Sequence, residues 1–178
     1  MRRAGKIRVR RARLADTTVL ARLGWGLNRH ERDPVRHFTK AAIRRDLLLP
    51  GKRMTALVAE LDGKVVGYAS YHPAYESGYA ARGLYLGDLF VEAGARGKGV
   101  GRTLVAAVAR AAQRRGDTYV WWTSMADNRR AQAFYAGLGA TREPVVAHAL
   151  FAKAFTRLAN EAGPAAKRRR RKAITLRK

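Results

Sequence analysis

The apolar residues change rhythm along the chain, and each change marks an element. Residues 7–15 carry Ile7, Val9 and Leu14 among basic neighbours and predict a first strand. Asp16 offers a helix N-cap, and Leu20, Leu23 and Leu27 follow at helical spacing, so a helix runs to about Asn28. Residues 29–34 are a polar connection, and a second helix over 38–48 is stopped by Pro50 and Gly51. Residues 54–60 and 64–72 read as a hairpin turned at Asp62 and Gly63. Residues 73–83 form a loop holding Tyr75 and Tyr79, and 84–92 is a fourth strand. Leu104, Val105, Val108 and Ala112 then mark an amphipathic helix ending near Gly116. A fifth strand covers 118–126, where adjacent Trp121 and Trp122 must face opposite sides. Asn128 caps a short helix through Phe134, Tyr135 and Leu138. A last strand is predicted over 145–151, and Phe155, Leu158 and Ala162 suggest a closing helix. The order predicts an α/β chain of the α+β type, with a mixed, mostly antiparallel sheet and one parallel pair around the long helix.

Length and composition narrow this picture. The 178 residues suffice for one core, and 47% apolar residues place the chain among folding sequences. The expected organisation is a basic N-terminal end over 1–6, a single domain over 7–162 and a basic, disordered tail over 163–178. No cysteine occurs, which excludes disulfides, thiolate metal sites and an acyl-cysteine intermediate. A reducing, cytoplasmic location is expected, with neither a membrane span nor a signal peptide. His30, His37 and His72 show no metal-ligand spacing, so no metal is expected.

Charge is unevenly spread. The net charge of +24 comes from 37 bases and 13 acids. Residues 1–13 hold seven bases and 167–178 hold eight, leaving 22 bases against all 13 acids between them. The ends read either as solvated tails or as weak, nonspecific binders of nucleic acid or another anionic surface. The run from Lys167 to Lys172 has no aromatic residue for base stacking, so specific base recognition is not indicated.

The candidate chemistry lies in Gly94-Ala95-Arg96-Gly97-Lys98-Gly99-Val100-Gly101, between the fourth strand and the long helix. Glycines let successive N–H groups point one way, and the helix start adds open N–H groups and a partial positive charge. Arg96, Lys98 and Arg102 add full charge, so the segment reads as a pyrophosphate cradle. It is not a P-loop, because Gly99 and Val100 follow Lys98 where Ser or Thr is required. A dinucleotide fingerprint fits poorly in spacing and position.

Arg96-x-x-Gly99-x-Gly101, set between strand and helix and followed by a strand, Asn128 and Phe134-Tyr135, resembles the GNAT superfamily of acetyl-CoA-dependent N-acetyltransferases over 7–162. Tyr85-Leu86-Gly87-Asp88-Leu89-Phe90-Val91, after the aromatic stretch 71–79, resembles the diamine and polyamine acetyltransferase branch. The resemblance implies about six to seven strands flanked by about four helices, a homodimer, and acetyl-CoA as cosubstrate. It implies that the fourth and fifth strands splay around the pantetheine arm. Leu89, Phe90 and Val91 would hold that arm, with Asn128 reaching it. Arg96 and the amides of Gly97, Lys98, Gly99, Val100, Gly101 and Arg102 would hold the pyrophosphate. Tyr135 would protonate the leaving thiolate.

That branch carries a basic Glu before the strand's Asp, and here the position is Gly87. The base is therefore open among Asp88, Glu92, Glu76 and His148, with Asp88 expected to face away from the side that position 87 faces. The acceptor site is expected around Glu31, Asp33, Tyr75, Glu76, Tyr79 and Asp88, since carboxylates beside aromatics suit a cationic amine. The expected acceptor is a small primary amine: a diamine or polyamine, an amino acid or an aminoglycoside. The alternatives are a protein lysine or N-terminal amine, and a nucleic-acid-binding protein on a GNAT core.

Overall fold

Five strands build the sheet of the first part of the chain: β1 (Ile7–Arg11), β2 (Thr55–Leu61), β3 (Lys64–Glu76), β4 (Ala81–Val91) and β5 (Tyr119–Trp121), neighbours in that order. The computed structural model describes residues 5–32 and 37–163, in which the chain divides into two compact units, Met1–Gly139 and Ala140–Lys178. Strands β1 to β4 pair antiparallel. Helix α3 (Val100–Gln113) carries the chain across to β5, which pairs parallel with β4, as a crossover connection permits.

Alternation along the strands sends residues to two faces. On one face Leu57, Ala59, Ala69, Tyr71, Leu84 and Leu86 pack against Val100, Leu104, Val108 and Ala112, the apolar stripe of α3. On the other, Val58, Tyr68 and Phe90 pack against Leu20, Leu23 and Leu27 of α1 (Thr17–His30) and Ile43 of α2 (Lys40–Ile43). The expected second helix is thus one α-turn, which continues as a π-helical stretch over Arg44–Leu48. Fully buried Leu20, Leu23 and Leu104 each contribute roughly 2–5 kcal/mol relative to Ala.

A charge cluster fixes where α1 begins. Arg10 donates from Nη1 and Nη2 to Asp16 at 2.7 and 2.9 Å, and from Nε to Glu60 at 2.6 Å. Asp16 also accepts from the Arg13 amide at 2.7 Å. The bidentate geometry is the strong form of this pair, and it joins β1, the start of α1 and β2.

Several expected boundaries move. The first strand ends at Arg11, and Leu14–Asp16 is a 3-10 turn. The loop expected over 73–83 is largely strand: β3 runs to Glu76 and β4 starts at Ala81, joined by a turn over Ser77–Tyr79. Pro73 is tolerated because β2 stops pairing with β3 at Tyr71, leaving the far edge of β3 without a ladder. The fifth strand covers only three of the nine residues expected. Residues 145–151 form no strand, since no ladder partner pairs with them. The sheet therefore has five strands among the described residues, against the six to seven expected. In the first unit α4 (Arg129–Ala136) follows β5, and in the second α5 (Ala152–Glu161) is the regular element.

Candidate functional site

The sheet opens at one point. Strands β4 and β5 pair over only three rungs, the last being Tyr85 with Trp121. Beyond it β4 continues to Val91 while the chain after β5 leaves the ladder. A cleft of about 420 Å³ fills this gap, lined on one side by β4 from Leu86 to Val91 and on the other by Trp122, Thr123, Ser124 and Met125. The splay of the fourth and fifth strands is therefore present.

A bulge lies at the same place. Ser70 pairs with Asp88 and Tyr71 with Leu86, so Gly87 is an extra residue on β4. Leu84 and Leu86 before the bulge, and Leu89 and Val91 after it, all face α3. A Cβ at Gly87 would lie 3.2 Å from Ser70 Oγ, and Asp88 Oδ2 accepts a hydrogen bond from that same Oγ at 2.5 Å. Positions 87 and 88 thus turn to one side, as two bulged residues opposing one partner do. This corrects the expectation that Asp88 faces away from position 87.

The glycine segment forms the floor of the cleft. Gly97 and Gly99 have φ of +75° and +86°, a left-handed backbone that glycine adopts without strain. The turn ends at the N-terminus of α3, where the first helical amide bond is Thr103 N–H to Gly99 C=O at 3.0 Å. The amides of Val100, Gly101 and Arg102 precede it and are open helix-start donors. Arg96 Nε donates to the Val91 carbonyl at 2.8 Å, and its guanidinium lies 5.6 Å from the Phe90 ring centre. Burial, then Arg130, lowers the Arg96 pKa from its usual value. Arg102 Nη2 donates to the Gly137 carbonyl at 2.5 Å and ties α3 to the end of α4. Lys98 is exposed and lies outside the lining.

Helix α4 supplies the far wall. Asn128 caps it, with Oδ1 accepting the Ala131 amide at 3.0 Å. Tyr135 faces the cleft between Trp122 and Phe134, with ring centres 5.0 and 5.3 Å away. Burial, then the Glu31 charge, raises its phenol above the ordinary value. The two tryptophans do face opposite ways: Trp122 packs towards α3 and Tyr135, while Trp121 lies against Tyr85 at 5.4 Å.

On the α1 side, Glu31 and Asp88 both line the cleft, and both push up the pKa of buried Tyr68 after the effect of its burial. Burial raises the Asp88 carboxyl above the usual carboxylate range, and the Ser70 hydrogen bond partly offsets this. Rings continue outward from there: His72 with Tyr85 at 5.2 Å, then Tyr85 with Trp121.

Of the expected site residues, the structure brings together Glu31, Asp88, Leu89, Phe90, Val91, Arg96, Gly97, Gly99, Val100, Gly101, Arg102, Asn128 and Tyr135. Tyr75, Glu76 and Tyr79 sit at the exposed tip of the β3–β4 hairpin, away from the cleft, and Glu76 accepts the Gly78 amide at 3.1 Å. Glu92 is ion-paired with Arg22. His148 belongs to the second unit. Asp33 lies outside the described residues, as does the basic run over 167–178. Sequence reasoning missed Ser70, Trp122, Met125 and Arg130; the Trp pair and the Arg after Asn128 were the available signals.

A model of the acetyltransferase (GNAT) family matches residues 21–140. An L-ornithine N5-acetyltransferase of Arabidopsis thaliana is 34% identical over 96 residues, which is 54% of this chain and 39% of that protein. A thialysine N-epsilon-acetyltransferase of Bos taurus is 34% identical over 76 residues, 43% of this chain and 44% of that protein. The matches thus span less than half the length of these curated relatives. An aminoglycoside N-acetyltransferase solved in complex with CoA shares the fold, with a TM-score of 0.67 at 21% identity over 84% of this chain and 97% of that one.

Proposed function

The chain belongs to the acetyltransferase (GNAT) family, and from that premise we propose that it moves an acetyl group from acetyl-CoA directly to the primary amine of a small molecule. The observation that carries this reading is the free edge of β4 from Leu86 to Val91, beside the open amides at the start of α3. The residues present fit the cosubstrate on both counts. An extended arm can pair with a strand edge as an added strand. A pyrophosphate suits a helix start with glycine turns and arginines around it.

In this reading backbone groups of Leu89, Phe90 and Val91 hold the pantetheine arm. The amides of Gly97, Lys98, Gly99, Val100, Gly101 and Arg102 hold the pyrophosphate, and Arg96 and Arg130 add charge. Asn128 spends its carbonyl on the helix cap, so its NH2 group is the end able to reach the arm. Acetyl-CoA supplies an acetyl group activated as a thioester. The amide of Leu89 or Phe90 is the donor for negative charge developing on the acetyl oxygen. Tyr135 keeps its proton at neutral pH, because its pKa is raised above about 10. Its role is to give that proton to the departing sulfur.

The acceptor approaches from the α1 side. Glu31 and Asp88 supply negative charge there, and the His72, Tyr85 and Trp121 rings supply faces on which a cation rests. The relatives named for ornithine N5 and for thialysine N-epsilon support an amino-acid-like amine within this class.

The test is CoA thiol release from acetyl-CoA with diamines, spermidine, ornithine, lysine analogues, aminoglycosides and short peptides, for the wild type and Tyr135→Phe. The expected result is release with a small amine and a kcat about 100-fold lower in the variant. Release with peptides alone would move the acceptor to proteins. Failure to bind acetyl-CoA would overturn the reading.

A further inference from the structure

We infer that Asp88, presented by the Gly87 bulge and held by Ser70, takes the proton from the acceptor's ammonium group. The inference rests on the acetyl-transfer reading above and deepens it.

Geometry separates Asp88 from Glu92 and Glu76. Glu92 is held by Arg22, and Glu76 is held by the Gly78 amide at the hairpin tip, seven β4 residues away by register. Asp88 instead lines the cleft, next in sequence to the Leu89 amide. An unbroken strand would carry a single residue opposite Ser70. The bulge adds Gly87 there without a side chain, and the Met54 methyl lies where a Cβ at that position would reach, 2.6 Å from it. The Glu that the polyamine-type pattern places at position 87 is thereby replaced by the next residue, turned to the same side.

Ser70 is the positioning residue. It is fully buried on β3, directly across from Asp88, and donates to Oδ2 at 2.5 Å. Among the described residues Oδ1 has no hydrogen-bond partner, so it is the oxygen left to accept a proton. The other titratable groups around Asp88 are Tyr68 on β3, Glu31 and His30 at the end of α1, and Tyr135 on α4. Burial opposes a fixed negative charge on Asp88 and favours a carboxylate that binds a proton readily, with the Ser70 hydrogen bond as a partial counterweight.

The protons balance. One N–H bond of the ammonium breaks and one O–H bond forms on Asp88, which frees the nitrogen lone pair. That pair forms the amide C–N bond as the C–S bond breaks. The sulfur takes the Tyr135 proton, and the phenolate recovers one from the newly acylated nitrogen. Asp88 releases its proton to solvent, so each turnover sheds one proton overall.

The experiment is the pH profile of kcat/KM for the wild type, Asp88→Asn, Ser70→Ala and Ser70→Thr, with acetyl-CoA affinity measured separately by calorimetry. The expected result for Asp88→Asn is unchanged acetyl-CoA affinity, a kcat at least about 100-fold lower and loss of the acidic limb. Ser70→Ala removes a hydrogen bond that favours the ionised carboxylate, so its acidic limb moves to higher pH; Ser70→Thr restores it. An Asp88→Asn enzyme that keeps its kcat and acidic limb, while Tyr135→Phe loses activity, overturns the role of Asp88 and leaves acetyl transfer standing. An acidic limb unmoved in Ser70→Ala overturns the role of Ser70. Wild-type protein that binds no acetyl-CoA overturns the transfer reading and this inference together.

Discussion

Asp16 shows how one side chain can be structural although it resembles the candidate site residues in kind. Arg10 and the Arg13 amide hold its carboxyl below the usual carboxylate range, against the opposing effect of burial. Because the folded pKa is depressed, the stabilisation is present above the unfolded value of about 3.9 and is lost as pH falls through the lower folded value. Asp16→Asn is expected to cost on the order of 3 kcal/mol at pH 7, since it removes the bidentate partner of a partly buried Arg10 and leaves Glu60 alone to balance that charge. In urea unfolding followed from pH 7 to pH 2, the gap between the two proteins should close below about pH 4. A gap that stays constant across that range would remove the ion pair as its cause. Asp88 is the opposite case: its environment resists ionisation, which is the property wanted of a base and not of an anchor.

Legibility from sequence followed the strength of the local pattern. The helix over Val100–Gln113 and its glycine-rich start were readable, because helical spacing, left-handed glycines and basic residues all act within a dozen positions. Tyr135 and Asn128 came with the same motif. The β3–β4 hairpin was misread because Pro73 and Gly83 carry turn chemistry, and only the absence of β2 beyond Tyr71 makes Pro73 harmless there. The bulge was invisible, since one added residue changes neither composition nor apolar rhythm enough to notice. It also supports a prediction that runs against intuition. Deleting Gly87 would leave Leu84, Leu86, Leu89 and Val91 facing α3, so the unfolding midpoint should stay close to that of the wild type. The straightened β4 would lose the bend that accompanies its departure from β5. Acetyl-CoA affinity should therefore fall at least about tenfold while the fold persists, as calorimetry and thermal melts on the same sample will report. Coupled loss of both would mean that the bulge serves stability.

For the whole molecule, charge is the dominant property. With 37 bases against 13 acids the field is positive, and Arg96, Arg102 and Arg130 concentrate it along the cleft. A polyanionic cosubstrate should feel that field over roughly a Debye length, about 8–10 Å at physiological salt. Acetyl-CoA affinity is thus expected to weaken steadily as KCl is raised, with a shallower salt slope in Arg130→Ala. Equal slopes would assign the salt effect to the field at large. Removing 164–178 should leave turnover of a small amine intact, whereas turnover of a protein acceptor would be expected to suffer.

The short β4–β5 ladder reaches further than catalysis. Six residues of β4, from Leu86 to Val91, run past the last rung at Tyr85 and Trp121, and among the described residues no strand pairs with their outer edge. An unclaimed edge seeks a partner, and in a concentrated solution of identical molecules the nearest partner is another copy. In the proposed reading the cosubstrate arm takes that same edge. On that reading acetyl-CoA would guard against self-association as well as serve as donor, and light scattering of the apo protein should fall when it is added. At a hundredfold excess over its dissociation constant the ligand adds about 2.7 kcal/mol of stability. The vulnerability of this chain would then be a matter of diet, greatest when the cosubstrate is scarce.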